Sequence, residues 1–163
     1  MPMPTHDDWM RQALAEADRA FEEGEVPVGA VIVRDGEVIA RGHNRRESRQ
    51  SPLSHAEIEA IASAAARQKS WRLDECDLYV TLEPCLMCAG AAVQARLRRL
   101  VFGCRDPKAG AVRSLYRCAE DARLNHRLDV VEGVLADEAA ERLRAFFKRL
   151  RGGPDADSGA DVL

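Results

Sequence analysis

Between Asp77 and Cys104 the chain spells strand, helix, strand, and that order limits what it can fold into. Asp77 to Leu82 is a short apolar run with strand composition. Pro84 suits the first turn of a helix, because its missing N–H has no partner to lose there. That helix continues to about Ala95, and Leu100 to Cys104 forms the next strand. A related alternation lies upstream. Pro27 to Val33 reads as a buried strand, Asp35-Gly36 as a tight hairpin turn, and Glu37 to Arg41 as the returning strand. A helix then begins at His55 and runs through an alanine-rich stretch to about Gln68, with Ser54 as its cap. The first helix spans about residues 7–23. Thr5 and Asp8 form its capping box, and Gly24 is its stop. Met10, Ala13, Leu14, Ala17, Ala20 and Phe21 share one face of it. Leu128 to Glu132 is a weaker fifth strand. Ala139, Leu143, Phe146, Phe147 and Leu150 mark one face of a final helix. Residues 42–54, which include Pro52, and the turn-rich 106–110 are loops, and 111–127 has no clear pattern. This alternation predicts an α/β fold in which helices cover both faces of a sheet. Ligands in such sheets sit near the carboxyl ends of strands.

A chain of 163 residues suits one domain with a real core, expected over residues 1–151. The last segment, GGPDADSGADVL (152–163), has the composition of a disordered tail. The first residues, MPMPTHDDWM, are acidic and hold no apolar run, so no signal peptide is expected. No stretch approaches a membrane span. A cytoplasmic location follows as the expectation, and thiols there stay reduced.

The cysteines number five: Cys76, Cys85, Cys88, Cys104 and Cys118. An odd count in a reducing compartment argues against a disulfide framework and for metal binding by the one tight pair. The other three fit small buried apolar positions. Pro84-Cys85-Leu86-Met87-Cys88 brings two thiolates to one side of a first helical turn, where the partial positive charge favours the ionised sulfur. His55-Ala56-Glu57 opens another predicted helix. It adds one neutral imidazole and, two residues on, a carboxylate aimed elsewhere. A structural zinc site closes its shell with four protein ligands, whereas a catalytic one keeps a position for water. His55, Cys85 and Cys88 make three good ligands, and the two thiolates cancel the dication's charge. Glu57 then suits proton transfer over a metal-bound oxygen. Either half alone is weak. Together, the His-x-Glu and Pro-Cys-x-x-Cys motifs form the signature of zinc nucleobase deaminases, and the class is a match to that signature. Two alternatives stay open on the residues alone. Cys104 or Cys76 completes a closed Cys₃His module, or Cys85 and Cys88 form a thioredoxin-like pair. The second leaves His55 and Glu57 without a role.

Net charge is −3, which by itself suggests no nucleic-acid partner. The distribution is uneven. Residues 41–50 carry four positive charges against one negative, 94–108 five against one, and 142–151 five against none. A polyanion responds to such local fields. Of the 24 basic residues 21 are Arg, so the runs also fit an arginine-rich composition with solvated faces.

Beyond the metal motifs, the chain resembles the bacterial tRNA-specific adenosine deaminases over roughly residues 7–151. The resemblance rests on EVPVGAVIV (25–33), GHN (42–44), HAEIEA (55–60), LYVTLEPCLMCAGA (78–91), VFGCRDPKAGA (101–111), NHR (125–127) and VEGVLADEAAERLRAFF (131–147). It implies a three-layer α/β/α sandwich with a five-stranded mixed sheet, cytidine-deaminase-like, in a homodimer with one zinc per subunit. It implies hydrolytic deamination of the wobble adenosine of an arginine tRNA to inosine. Zinc hydroxide would attack C6 of the flipped base, and Glu57 would shuttle protons. His55, Cys85 and Cys88 correspond to the zinc ligands. Asn44 resembles the amide contact to the flipped nucleoside, and Val28 resembles part of the pocket wall. Asp106 and Lys108 resemble contacts to nearby nucleotides of the anticodon stem-loop. Phe147 is a further candidate RNA contact, although Phe146 and Phe147 equally fit a core stripe. Cys104 stands where a small residue is usual, and residues 116–124 depart from the family pattern. Two other readings are kept. One is a deaminase of free nucleobases or nucleosides such as guanine or cytosine, and the other is a non-catalytic zinc module.

Overall fold

The computed structural model of the protein describes residues 2–152. Helix α1 (His6–Glu22) starts on Thr5, whose hydroxyl accepts from the Asp8 N–H while the Asp8 carboxylate accepts from the Thr5 N–H. Strands β1 (Gly29–Arg34) and β2 (Glu37–His43) form the hairpin. Asp35 and Gly36 both take positive φ between them, at 51° and 72°, as a primed hairpin turn requires. The short helix α2 (Arg46–Arg49) follows, then α3 (Ala56–Gln68), β3 (Asp77–Leu82), α4 (Leu86–Gln94) and β4 (Arg99–Cys104). A 3₁₀ turn (Cys118–Glu120), β5 (Asp129–Val131) and α5 (Ala136–Arg151) complete the fold.

The five strands form one mixed sheet in the order β2-β1-β3-β4-β5. Pairing is antiparallel across β2-β1-β3 and parallel across β3-β4-β5. Side chains along a strand alternate between faces, so the sheet sorts its residues by parity. Val31, Val33, Tyr79 and Val101 pack with Met10, Ala13, Leu14 and Ala139 from α1 and α5. Ala30, Ile32, Leu78, Val80, Leu100 and Phe102 pack with the alanine faces of α3 and α4. The strands are therefore buried on both sides, which is why they read as near-continuous apolar runs.

Small residues set how closely α3 approaches the sheet. Ala56, Ala60 and Ala64 are fully buried. At Gly42 a Cβ would lie 2.4 Å from the Ala56 carbonyl oxygen. No side chain fits there, and the first turn of α3 lies directly on β2. His43 then ties the end of β2 to α1, with Nδ1 3.1 Å from Glu16 Oε2 and Nε2 2.9 Å from Glu23 Oε2.

Three local expectations are corrected. The cap of α3 is His55, not Ser54, and it makes no side-chain capping bond, so the imidazole is left for other partners. The cap of α4 is Cys85, and Pro84 precedes it instead of opening the helix. Part of the expected loop 42–54 is the helix α2, because the buried Glu25 carboxylate accepts from the Glu47 and Ser48 N–H groups in its first turn. The expected tail begins at Gly152, the C-cap of α5, and residues 153–163 lie outside the described residues. Among the described residues no helix is long and apolar enough to cross a membrane.

Candidate functional site

The first turns of α3 and α4 meet at the carboxyl end of β3. His55 is the N-cap of α3 and Glu57 lies in its first turn, while Cys85 is the N-cap of α4 and Cys88 lies one turn in. His55 Nδ1 is 3.6 Å from Cys85 Sγ and 3.5 Å from Cys88 Sγ. Zinc–sulfur bonds of ~2.3 Å and zinc–nitrogen bonds of ~2.1 Å at a tetrahedral angle place such donor atoms about 3.6 Å apart. The observed spacing fits that edge, so these residues form a group able to bind a metal ion.

The electrostatics agree. The Cys88 thiol donates to Cys85 and, with help from His55, holds the Cys85 thiol down at about 4. The same bond, then burial and the charge of Glu57, drive the Cys88 thiol well up. The bond to Cys85 also raises His55. Glu57 is 4% exposed, and its burial pushes its carboxyl above the usual range. A carboxylate of raised basicity suits the uptake and return of a proton near neutral pH.

This cluster opens onto a pocket of about 240 Å³. Four of the five expected substrate residues line it: Val28, Asn44, Asp106 and Phe147. Lys108 does not. It is exposed two residues beyond Asp106, with its backbone N–H donating to Asp106 Oδ1. Asn44 is held from both ends of its amide. Its Nδ2 donates to the Val26 carbonyl at 3.4 Å, and its Oδ1 accepts from the Arg46 N–H at 3.1 Å. Phe147 takes the core position its stripe anticipated and also borders the pocket. It packs in the core against the edge of Phe146, with ring centroids 5.3 Å apart, and still presents surface to the pocket. Arg46 and Glu83 also line the pocket, and sequence reasoning missed both. Glu83 carried a signal, since an acidic residue at the end of an otherwise apolar strand needs a buried partner.

Cys104 stands apart. Its thiol is oriented toward the Thr81 carbonyl at 3.8 Å, and burial pushes it up to about 11. Metal ligation needs the thiolate. Among the described residues the metal-binding group contains neither Cys104 nor Cys76. Three candidate ligands beside a pocket would leave a coordination position open, as a catalytic metal site does. Cys104→Ala is therefore expected to keep wild-type metal content, measured by plasma mass spectrometry of the purified protein. Loss of the metal would restore the closed-site alternative.

The family described as MafB19-like deaminase matches residues 4–151. A tRNA-specific adenosine deaminase from Bacillus subtilis is 49% identical over 148 residues, covering 90% of this chain and 92% of that protein. A solved structure from work on A-to-I editing by tRNA:A34 deaminases at the wobble position superposes with a TM-score of 0.80 at 48% identity. It covers 83% of this chain and 98% of its own. A Bacillus subtilis guanine deaminase structure is less similar, with a TM-score of 0.60 at 36% identity over 63% of this chain and 66% of its own.

Proposed function

As this chain belongs to the family of tRNA-specific adenosine deaminases, we propose that it hydrolyses the wobble adenosine of an arginine tRNA to inosine and ammonia. The observation that carries this reading is the His55–Cys85–Cys88 group opening, beside Glu57, onto a pocket of about 240 Å³. That volume lies below the ~300–1,000 Å³ of sites for drug-sized ligands and suits a single base. The three residues hold one zinc ion per chain. When bound, zinc supplies Lewis-acid activation of water, able to lower its pKa from ~15.7 to ~7.

The chain's own residues do the rest. Water attacks C6 of adenine, and Glu57 takes up the proton the water gives. Glu57 returns that proton to N1, then moves the second proton of the water to the leaving amine. The C6–N bond breaks, ammonia departs and the ring keeps the oxygen. C6 is out of reach in a stacked anticodon loop, so the base is flipped into the pocket, and extrusion from a loop costs less than from a duplex. Val28 and Phe147 wall the base, and the fixed amide of Asn44 orients it. Asp106 and Lys108 meet neighbouring nucleotides of the anticodon stem-loop. The same reading makes residues 1–151 one deaminase domain in a cytoplasmic homodimer, on the support of the sequence resemblance.

The test is to incubate the zinc-loaded protein separately with arginine tRNA, free adenosine, guanine and cytosine. Inosine at the wobble position, with no turnover of the free compounds, is the expected result. Turnover of guanine or cytosine alone would overturn it in favour of a free-base deaminase, the reading to which the guanine deaminase likeness points. Salt gives a second readout. Affinity for the tRNA should fall with a log–log slope of about −0.7 per phosphate contacted in the single-stranded loop.

A further inference from the structure

Glu83 is 2% exposed and directly follows β3, two residues before Cys85. Nothing in the proposed chemistry uses it, yet five donors converge on its carboxylate. Oε1 accepts from the Asp106 N–H at 3.0 Å and from the Ser114 hydroxyl. Oε2 accepts from the N–H groups of Val112, Arg113 and Ser114 at 3.1, 2.7 and 2.8 Å. All five come from the segment after β4. The backbone closes so tightly on the carboxylate that a Cβ at Gly110 would lie 2.3–2.5 Å from its atoms. The chain continues outward from Asp106, whose Oδ1 accepts from the Lys108 and Ala109 N–H groups at 3.0 and 3.1 Å. Asp106 and Ala109 line the pocket.

We propose that Glu83 is a positioning residue for substrate: through the Asp106 amide it sets the segment 106–114 as a wall of the pocket. This deepens the deaminase reading and rests on it. Burying a carboxylate without partners is costly, and five donors offset that cost only in one arrangement of the loop. The loop has little regular structure of its own, with turns over residues 107–109 and 111–114. Its conformation therefore follows from the acceptor it wraps.

The two oxygens make the test selective. In Glu83→Gln one oxygen becomes an NH₂ group, which cannot accept. Placed on the Oε2 side it would face three backbone N–H groups. Placed on the Oε1 side it faces one N–H, that of Asp106, and the Ser114 hydroxyl, which can rotate to accept. The amide therefore settles on the Oε1 side and releases the Asp106 N–H alone. Glu83→Ala releases all five donors.

The experiment combines amide hydrogen exchange with kinetics on an anticodon stem-loop, using the full chain loaded with zinc. In Glu83→Gln the Asp106 amide should exchange about 10–100-fold faster, as for one lost bond to a charged group, while Val112, Arg113 and Ser114 stay near wild-type rates. KM should rise about tenfold, with kcat changed less and zinc still at one per chain. In Glu83→Ala all four amides should exchange faster. If Glu83→Ala does not fold, the isosteric Glu83→Gln carries the test. Unchanged exchange at Asp106 overturns the proposal. So does a fall in melting temperature with KM unchanged, because Glu83 would then serve the fold only. If the wild-type chain makes no inosine, the function reading fails, and the exchange arm still decides whether Glu83 sets the loop.

Discussion

Glu57→Ala is expected to lower kcat by about 10²–10⁴-fold, the usual worth of a positioned acid–base group, with the metal retained. Glu57 lies in the first turn of α3, 4% exposed, on the wall of the pocket and outside the metal-binding group. Its removal takes away no ligand. It takes away the group proposed to carry protons from water to N1 and to the leaving amine. Burial pushes its carboxyl up, so it takes a proton more readily than an exposed glutamate does. Glu57→Gln keeps the shape and hydrogen-bonding reach but cannot titrate, so it should lose nearly as much. Single-turnover rates with arginine tRNA, read beside zinc content, are the measurement. Undiminished turnover in a variant that keeps zinc would remove Glu57 from the mechanism.

Cys88→Ala should abolish both metal binding and activity, and it should lower stability as well. Cys88 is fully buried, 3.5 Å from His55 Nδ1. Losing it leaves His55 and Cys85, too few to hold zinc against dilution and chelators. Anything that binds only the folded state stabilises it, by about 4 kcal/mol at a thousandfold excess over Kd. For a chain of this size that corresponds to a melting temperature lower by about 10 °C. The control is a chelator. It should destabilise the wild type by a similar amount and leave Cys88→Ala unmoved. A variant that kept stoichiometric zinc, or a wild type indifferent to the chelator, would show that this cysteine is not a ligand.

Much of the fold was legible in the sequence because its signals are local. The Thr5–Asp8 box, the Asp35-Gly36 turn and the bounds of β3 each depend on residues within a few positions of one another. The two halves of the metal motif were legible for the same reason, since each opens a helix. Less visible were the details of those openings. Ser54 was the expected cap of α3, yet the chain places His55 there with no side-chain capping bond, which leaves the imidazole facing the two sulfurs. Residues 42–54 and 111–127 carried no periodic pattern. Their conformations hang on carboxylates distant in sequence, Glu25 for the first and Glu83 for part of the second. Arg113 ties the second segment down further through ion pairs to Glu120 and Glu132.

By itself the sequence determined the order of the five strands and the four longer helices, and it offered the candidate ligand set. Residue type and spacing suffice where a helix turn or a strand pleat sets the geometry. The tertiary structure decided that Cys104 stands aside with its thiol toward Thr81, that Phe147 serves core and pocket together, and that Lys108 is exposed and does not line the pocket. It also decided that Glu83 gathers a loop around itself. Each of these depends on which surfaces meet when β3 and β4 pair and α5 returns across them. A buried carboxylate finds its donors only after the chain has closed, so no local pattern announces them.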